Sequence, residues 1–280
     1  MNLNKNKVIK IIKEALAEDI GTGDLTTQST IKDNKLETGI ILAKENGVIA
    51  GLEVAKLVFD CLDNDIKFEK LVTEGSKVKR QTPVVKVSGP IASLLSGERL
   101  ALNFLQRMSG IATKTARYVE LVADYDVRIV DTRKTTPNLR SLEKYAVRIG
   151  GGFNHRSGLY DAVMIKDNHI QAVGSITKAV KRARENVAHT VKIEVETEDL
   201  AQVKEALSVG VDIIMLDNMS SQLMAQAVEL IGEQAIVEAS GGITAETIRE
   251  VAQTGADVIS VGELTHTIDS LDISLDIKED

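Results

Sequence analysis

Tryptophan is absent from this chain, and phenylalanine and tyrosine together bring the aromatic content to only 3%. Base-stacking modules and aromatic cages need π-faces, so the scarcity argues against both. A single cysteine, Cys61, excludes an intramolecular disulfide; its neighbours Phe59 and Leu62 suggest a buried structural thiol. No run approaches the roughly 20 apolar residues that a membrane helix requires. Nor is there an excess of positive charge: the formal net charge of -7 argues against non-specific binding to nucleic acid. Such a balance over the whole surface still leaves room for a locally basic pocket.

What is present is an ordinary globular composition, 43% hydrophobic and 27% charged, in 280 residues, enough for one large domain or two modest ones. Met1 to Glu18 places Val8, Ile11, Ile12, Ala15 and Leu16 at helical spacing on a lysine-rich segment, unlike the continuous apolar core of a signal peptide. A cytoplasmic protein is the resulting expectation.

The chain reads in two parts. Up to about residue 112 it mixes a turn at Gly21–Asp24, a strand-like run at Thr38–Ala43, a helical stretch at Glu53–Leu62 and β-rich segments at 66–72 and 84–87. This predicts a small α+β sandwich. The segment Val72–Val78 resembles half of a biotinyl-carrier hammerhead, but no Met-Lys-Met tip occurs, so a scaffold sheet is expected. One or two helices follow over 93–118, punctuated at Gly97–Arg99 and Gly110. From 113 to 267 a different rhythm takes over. β-Branched runs at 127–130, 162–165, 191–195, 211–216, 235–237 and 258–261 alternate with helical patterns such as 175–184, 199–207, 222–231 and 245–254. Continuously apolar strands alternating with helices predict a parallel sheet covered by helices. Six strands are too few for a closed eight-stranded barrel, so an incomplete α/β barrel is expected. The alternating tail at 271–277 reads as a further strand, and the segment 268–280 could return to the first domain's sheet.

Each predicted barrel strand ends in residues that can do chemistry: Asp131-Thr132-Arg133-Lys134, Lys166-Asp167-Asn168-His169, Glu194 and Glu196, Asp217-Asn218, Glu238-Ala239-Ser240-Gly241-Gly242, and Gly262-Glu263. In α/β barrels these strand ends converge on one active site. Ser240-Gly241-Gly242 lets backbone approach a ligand closely, with free N–H groups expected from the helix after it, and phosphate sites are frequent after the last two strands. The loops after the first strand gather Arg133, Lys134, Arg140, Lys144, Arg148, His155, Arg156 and Lys166. Arg140, Lys144 and Arg148 fit a solvated helix face; the others can point into a cavity. Guanidinium forks suit carboxylates and lysines suit phosphates, so a substrate with several negative charges is expected. Opposite them, Glu196 and Asp217 either pair with Lys166 or Arg133, or coordinate Mg²⁺ or sugar hydroxyls. The four histidines lack zinc-ligand spacing, and only His155 is expected near substrate.

These segments resemble the quinolinate phosphoribosyltransferase family, the carboxylating nicotinate-nucleotide pyrophosphorylases. The resemblance rests on EDIGTGDLTT (18–27), GERLALNFLQRMSGIAT (97–113), DTRKTTPNLR (131–140), GGGFNHRSGLYDAVMIKDNH (150–169), EVE, MLDN, EASGGI and VGELTH, in order along nearly the whole chain. It implies conversion of quinolinate and phosphoribosyl pyrophosphate to nicotinate mononucleotide, pyrophosphate and CO₂ with Mg²⁺, in NAD biosynthesis. It also implies a homodimer, or a larger homo-oligomer, in which the N-terminal domain of one subunit covers the partner's barrel mouth.

By the same resemblance Arg99 would reach the partner's site. Arg133, His155, Arg156 and Lys166 would join it in holding the quinolinate carboxylates, with Thr132 in the same motif. Lys134 and Lys166 would lie near the pyrophosphate, and Glu196 and Asp217 would contact ribose hydroxyls and Mg²⁺. Ser240, Gly241, Gly242, Val261, Gly262 and Glu263 would line the 5-phosphate site. Lys134, Lys166, Glu196 and Asp217 are the expected catalytic residues. Competing readings are a paralogous phosphoribosyltransferase with another acceptor, a Schiff-base aldolase using Lys166, and a non-catalytic nucleotide sensor.

Overall fold

The computed structural model describes residues 3–33 and 35–277; Met1 and Asn2 of the expected first helix, and the tail residues 278–280, lie outside it. Helix α1 (Lys5–Ile20) starts at Asn4, whose side chain accepts from Lys7 N–H, and buries Val8, Ile12 and Leu16, one per turn. The turn signal at Gly21–Asp24 conceals a second helix, α2 (Leu25–Thr30), capped by Asp24. Strands β1 (Leu36–Ala43) and β2 (Gly47–Val48), helix α3 (Leu52–Leu62), strands β3 (Lys67–Lys70), β4 (Lys77–Val78) and β5 (Pro83–Pro90), and helix α4 (Ile91–Leu121) complete the first half. Then come β6 (Arg128–Val130), α5 (Arg140–Ile149), β7 (Val163–Ile165), α6 (Asp167–Val173), α7 (Ile176–Asn186) and β8 (Ile193–Thr197). The remainder is α8 (Leu200–Ser208), β9 (Ile213–Asp217), α9 (Ser221–Ile231), β10 (Ile236–Ser240), α10 (Ile248–Ala252), β11 (Val258–Ser260), α11 (Glu263–His266) and β12 (Ile273–Ile277).

The chain divides into two units, one made of Met1–Ala116, Thr136–Gly151 and Thr267–Asp280, the other of Arg117–Thr135 and Gly152–His266. Thr136–Gly151, which the sequence reading assigns to the barrel, thus clusters with the first unit. The tie is visible in the side chains: buried Glu143 accepts from Arg107 (Nη2 at 2.6 Å) and from Thr136 N–H at 3.1 Å. Lys144, expected on a solvated face, is buried at 2% exposure, whereas Arg148 is exposed. Cys61, expected to be buried, is only half-buried at the end of α3.

In the first unit an antiparallel sheet runs β12-β1-β5-β3. The expected tail strand pairs with β1, from Gly39 opposite Ile277 to Ala43 opposite Ile273. Helix α4 is continuous through both glycines expected to interrupt it. Each is there because a neighbour comes too close for a Cβ: one added at Gly97 would lie 2.9 Å from Phe59 and Leu62, and one at Gly110 would strike the Asp269 carbonyl.

The second unit holds a six-stranded parallel sheet in the order β6-β11-β10-β9-β8-β7. The last strand pairs with the first, so the strands follow one another round a barrel with a seam between β6 and β7. Phe153 bridges to Val130 on the β6 side of that seam. Helices α7, α8 and α9 bury apolar stripes such as Met224, Ala227 and Ile231. Among the described residues no helix is long and apolar enough to cross a membrane.

Candidate active site

Side chains alternate faces along a strand, so Glu194 and Glu196 share one face of β8, Met215 and Asp217 one face of β9, and Glu238 and Ser240 one face of β10. Met215 lies opposite both Glu196 and Glu238 in the register. These faces line a cavity of about 1060 Å³ within the second unit, open at the carboxyl ends of the strands. Thr132, Arg133, Lys134, His155, Arg156, Lys166, Glu196, Asp217, Ser240, Gly241, Gly242, Gly262 and Glu263 all line it.

Two expected residues do not. Val261 is buried at 1% exposure, and its N–H donates to the Val130 carbonyl, which ties it into the sheet. Arg99 belongs to the first unit, exposed on α4. Conversely, His169 and His266, histidines not expected near substrate, line the cavity, as does Asn218, which the sequence placed at a strand end without a role. Lone histidines without ligand spacing carry no signal for that.

The cationic wall is built by loop anchors. Buried Asp131, at the end of β6, accepts from His155 N–H at 2.9 Å and from Asn154 Nδ2 at 2.6 Å. Asp161 accepts from Ser157 N–H and Gly158 N–H and closes the next turn. The Arg156 guanidinium is steadied by the Ala162 carbonyl at 3.3 Å and Met164 Sδ at 3.4 Å. Burial holds its pKa below the usual arginine value, and the charge of Arg133 adds to that. Lys134 is placed from both sides: its N–H donates to Thr132 Oγ1, and its carbonyl accepts from Thr265 Oγ1 at 2.8 Å. Lys166 forms an ion pair with Glu196, one of the two alternatives open for that carboxylate.

Below this wall sits a cluster that sequence reasoning did not assemble. His155 Nε2 lies 3.3 Å from Glu194 Oε2 and 3.4 Å from Glu238 Oε2, with both glutamates at least 96% buried. Burial alone would lower the histidine's pKa; the hydrogen bonds and charges of Glu194 and Glu238 outweigh it and push it up to about 10. Burial also pushes the Glu194 carboxyl up, and Glu238 beside it acts the same way. Nδ1 lies 2.6 Å from the Arg156 N–H. Nε2 is therefore the ring nitrogen whose proton faces both glutamates.

On the other side the Ser240–Gly242 turn bends back through two consecutive left-handed residues, Gly241 at φ 96° and Gly242 at φ 59°. Its backbone, not a helix end, faces the cavity: α10 starts only at Ile248, after a Thr244–Thr247 turn, so the expected helix N-terminus is not adjacent. Successive N–H groups in such a turn make an anion-binding concavity.

The family model for the quinolinate phosphoribosyl transferase N-terminal domain matches residues 24–109, and that for the C-terminal domain matches 111–276. The chain is 50% identical over 269 residues to a probable carboxylating nicotinate-nucleotide pyrophosphorylase of Synechocystis sp., covering 95% of this chain and 91% of that protein. It is 46% identical to the one from Bacillus subtilis, covering 98% and 95%. Among solved structures, the nicotinate-nucleotide pyrophosphorylase from Francisella tularensis superimposes with a TM-score of 0.95 at 38% identity, covering 99% of this chain and 98% of that one. With 11% identity and a TM-score of 0.64, human nicotinic acid phosphoribosyltransferase shares the fold alone. Both halves of this chain thus match in order and almost end to end, and the chain belongs to the quinolinate phosphoribosyltransferase family.

Proposed function

We propose that this protein transfers the phosphoribosyl group of phosphoribosyl pyrophosphate to quinolinate with decarboxylation, giving nicotinate mononucleotide, pyrophosphate and CO₂ in NAD biosynthesis. The observation that carries this reading is the composition of one cavity: Arg133, Arg156 and Lys166 stand with Glu196 and Asp217, and with the Ser240–Gly242 turn. An aromatic dicarboxylate, a sugar and a phosphate each find the chemistry they require there.

In this reading Arg133, Arg156 and Lys166 orient the acceptor's carboxylates so that its ring nitrogen faces the anomeric carbon. His155, with both ring nitrogens engaged inside the protein, holds the Arg156 loop in place and does not itself bind a carboxylate. Glu196 and Asp217 take the ribose hydroxyls and stabilise the positive charge that develops on the sugar as pyrophosphate leaves. Lys134 and Lys166 stabilise the departing anion. The Ser240–Gly242 turn, with Gly262 and Glu263, seats the 5-phosphate. Once the ring nitrogen is ribosylated it is cationic and stabilises the electron pair that departing CO₂ leaves on the adjacent ring carbon, which then takes a proton from water, so no residue need act as nucleophile. Catalysis is positioning and electrostatics.

The reading includes Mg²⁺. Glu196 and Asp217 offer hard oxygen donors on adjacent strands, the set that Mg²⁺ takes together with substrate phosphates, and these residues fit it and would hold it. Bound there, it would neutralise charge on the pyrophosphate. The reading also includes a cytoplasmic homodimer in which exposed Arg99 completes the partner's site. Mixing inactive Arg99→Ala and Lys134→Ala proteins would then restore activity in the mixed dimer, provided that subunits exchange.

The test is product formation from quinolinate, phosphoribosyl pyrophosphate and Mg²⁺, with nicotinate as a parallel acceptor. Nicotinate mononucleotide and CO₂ from quinolinate alone support the reading. Silence with quinolinate in folded protein would hand the acceptor to a paralogous reaction.

A further inference from the structure

Three non-glycine residues among those described have a left-handed backbone, Gln81, Asn138 and Asn218. Only Asn218 of the three lines the cavity, at φ 54°. Asparagine tolerates this region better than most residues, but it still needs a reason to be there. Three contacts supply one. The side-chain Nδ2 donates to Asp217 Oδ2 at 2.7 Å. Only the amino end of the amide can face a carboxylate, so the orientation is unambiguous. The backbone N–H donates to the Ser240 carbonyl at 3.0 Å, continuing the ladder past the end of β9. And Gly241 packs directly on the residue: a Cβ there would lie 2.6 Å from Asn218 N and closer still to Oδ1.

One residue therefore touches both the carboxylate at the end of β9 and the turn at the end of β10. We propose that Asn218 is a positioning residue that holds Asp217 and the Ser240–Gly242 turn at one fixed separation. It thereby sets how far apart a phosphorylated sugar must carry its hydroxyls and its phosphate. This rests on the reading above, in which Asp217 takes ribose hydroxyls and the turn takes the 5-phosphate.

The experiment is steady-state kinetics of the full-length protein with quinolinate, phosphoribosyl pyrophosphate and Mg²⁺, alongside calorimetric titration with ribose 5-phosphate. Asn218→Gly suits the left-handed backbone and lacks only the amide. It is expected to raise KM for phosphoribosyl pyrophosphate roughly tenfold, in line with losing one hydrogen bond to a charged group, while KM for quinolinate stays within about twofold. Asn218→Asp keeps the shape but turns an acceptor toward Asp217, and is expected to raise the same KM further. An unchanged KM in Asn218→Gly would overturn the proposal, since the residue would then serve only its backbone conformation. An equal rise in both KM values would overturn it as well, by showing general disorder of the site. If the unaltered protein binds ribose 5-phosphate but does not turn quinolinate over, the acceptor assignment fails alone, and weaker sugar-phosphate binding by Asn218→Gly would still support the positioning role. No binding of ribose 5-phosphate and no turnover would sink both.

Discussion

His155 Nε2 and Glu194 Oε2 lie 3.3 Å apart, and Glu238 Oε2 closes on the same nitrogen at 3.4 Å. Each glutamate has a second carboxylate oxygen, Oε1, that is buried without a hydrogen-bond partner. The imidazole N–H is thus the donor on which two buried acids depend. Replacing it in His155→Phe strands both, and removing one partner from a buried charged group costs about 3 kcal/mol. Urea denaturation should show a loss of that size. A change below about 0.5 kcal/mol would mean that the acids find another donor, such as water.

Two adjacent glycines should respond differently to alanine. Gly241→Ala places a methyl 2.6 Å from Asn218 N as well as forcing a left-handed alanine. Gly242→Ala meets nothing within 4 Å and carries only the backbone penalty of about 1–2 kcal/mol. Activity of Gly241→Ala should therefore fall well below that of Gly242→Ala at equal folded fraction. Equal activities would show that the turn absorbs the clash.

The Lys166–Glu196 ion pair joins two groups assigned to the transition state. Lys166→Met keeps the length of the stem and removes the charge. Its kcat/KM should drop by about 10² or more at equal folded fraction, the range seen when one preorganised donor to developing charge is lost. A loss confined to melting temperature would recast the pair as structural.

Asp24 caps α2 and accepts from Thr27 Oγ1 at 2.6 Å, Thr27 N–H at 3.0 Å and Ser96 Oγ at 2.9 Å. Led by the Thr27 hydroxyl, these bonds hold its carboxyl below the ordinary value of 3.8. Since the folded pKa is the lower one, the stabilisation is present above pH 3.8 and fades as pH falls through the folded value. Asp24→Asn should flatten the acid limb of stability against pH below about 4. Parallel acid limbs for the two proteins would rule out this role.

The barrel strands were legible because a sheet buried on both faces writes continuous apolar runs. Ile213–Leu216 could hardly be anything else. Ser240–Gly242 and the basic loops were legible for a related reason: polar residues at successive strand ends have one place to converge. The six-residue α2 hid behind a glycine turn, since so short a helix has no period to read. Buried Lys144 and the attachment of Thr136–Gly151 to the first unit depend on partners far away in sequence, such as Arg107. Glu238 was visible at its strand end, but nothing local says that it shares His155 with Glu194. The left-handed Asn218 had only its neighbour Gly241 to betray it.

The position of β12 bears on how the protein is made. Strand β1 pairs with β5 on one side and with β12 on the other, and β12 is the last strand among the described residues. During synthesis the outer edge of β1 stays open while more than 200 residues, the whole second unit among them, leave the ribosome. An unpaired strand edge is a template for association with other chains. Ribosome-bound nascent chains that stop before Ile273 should therefore be the species that recruit chaperones, and release of the final strand should end that dependence.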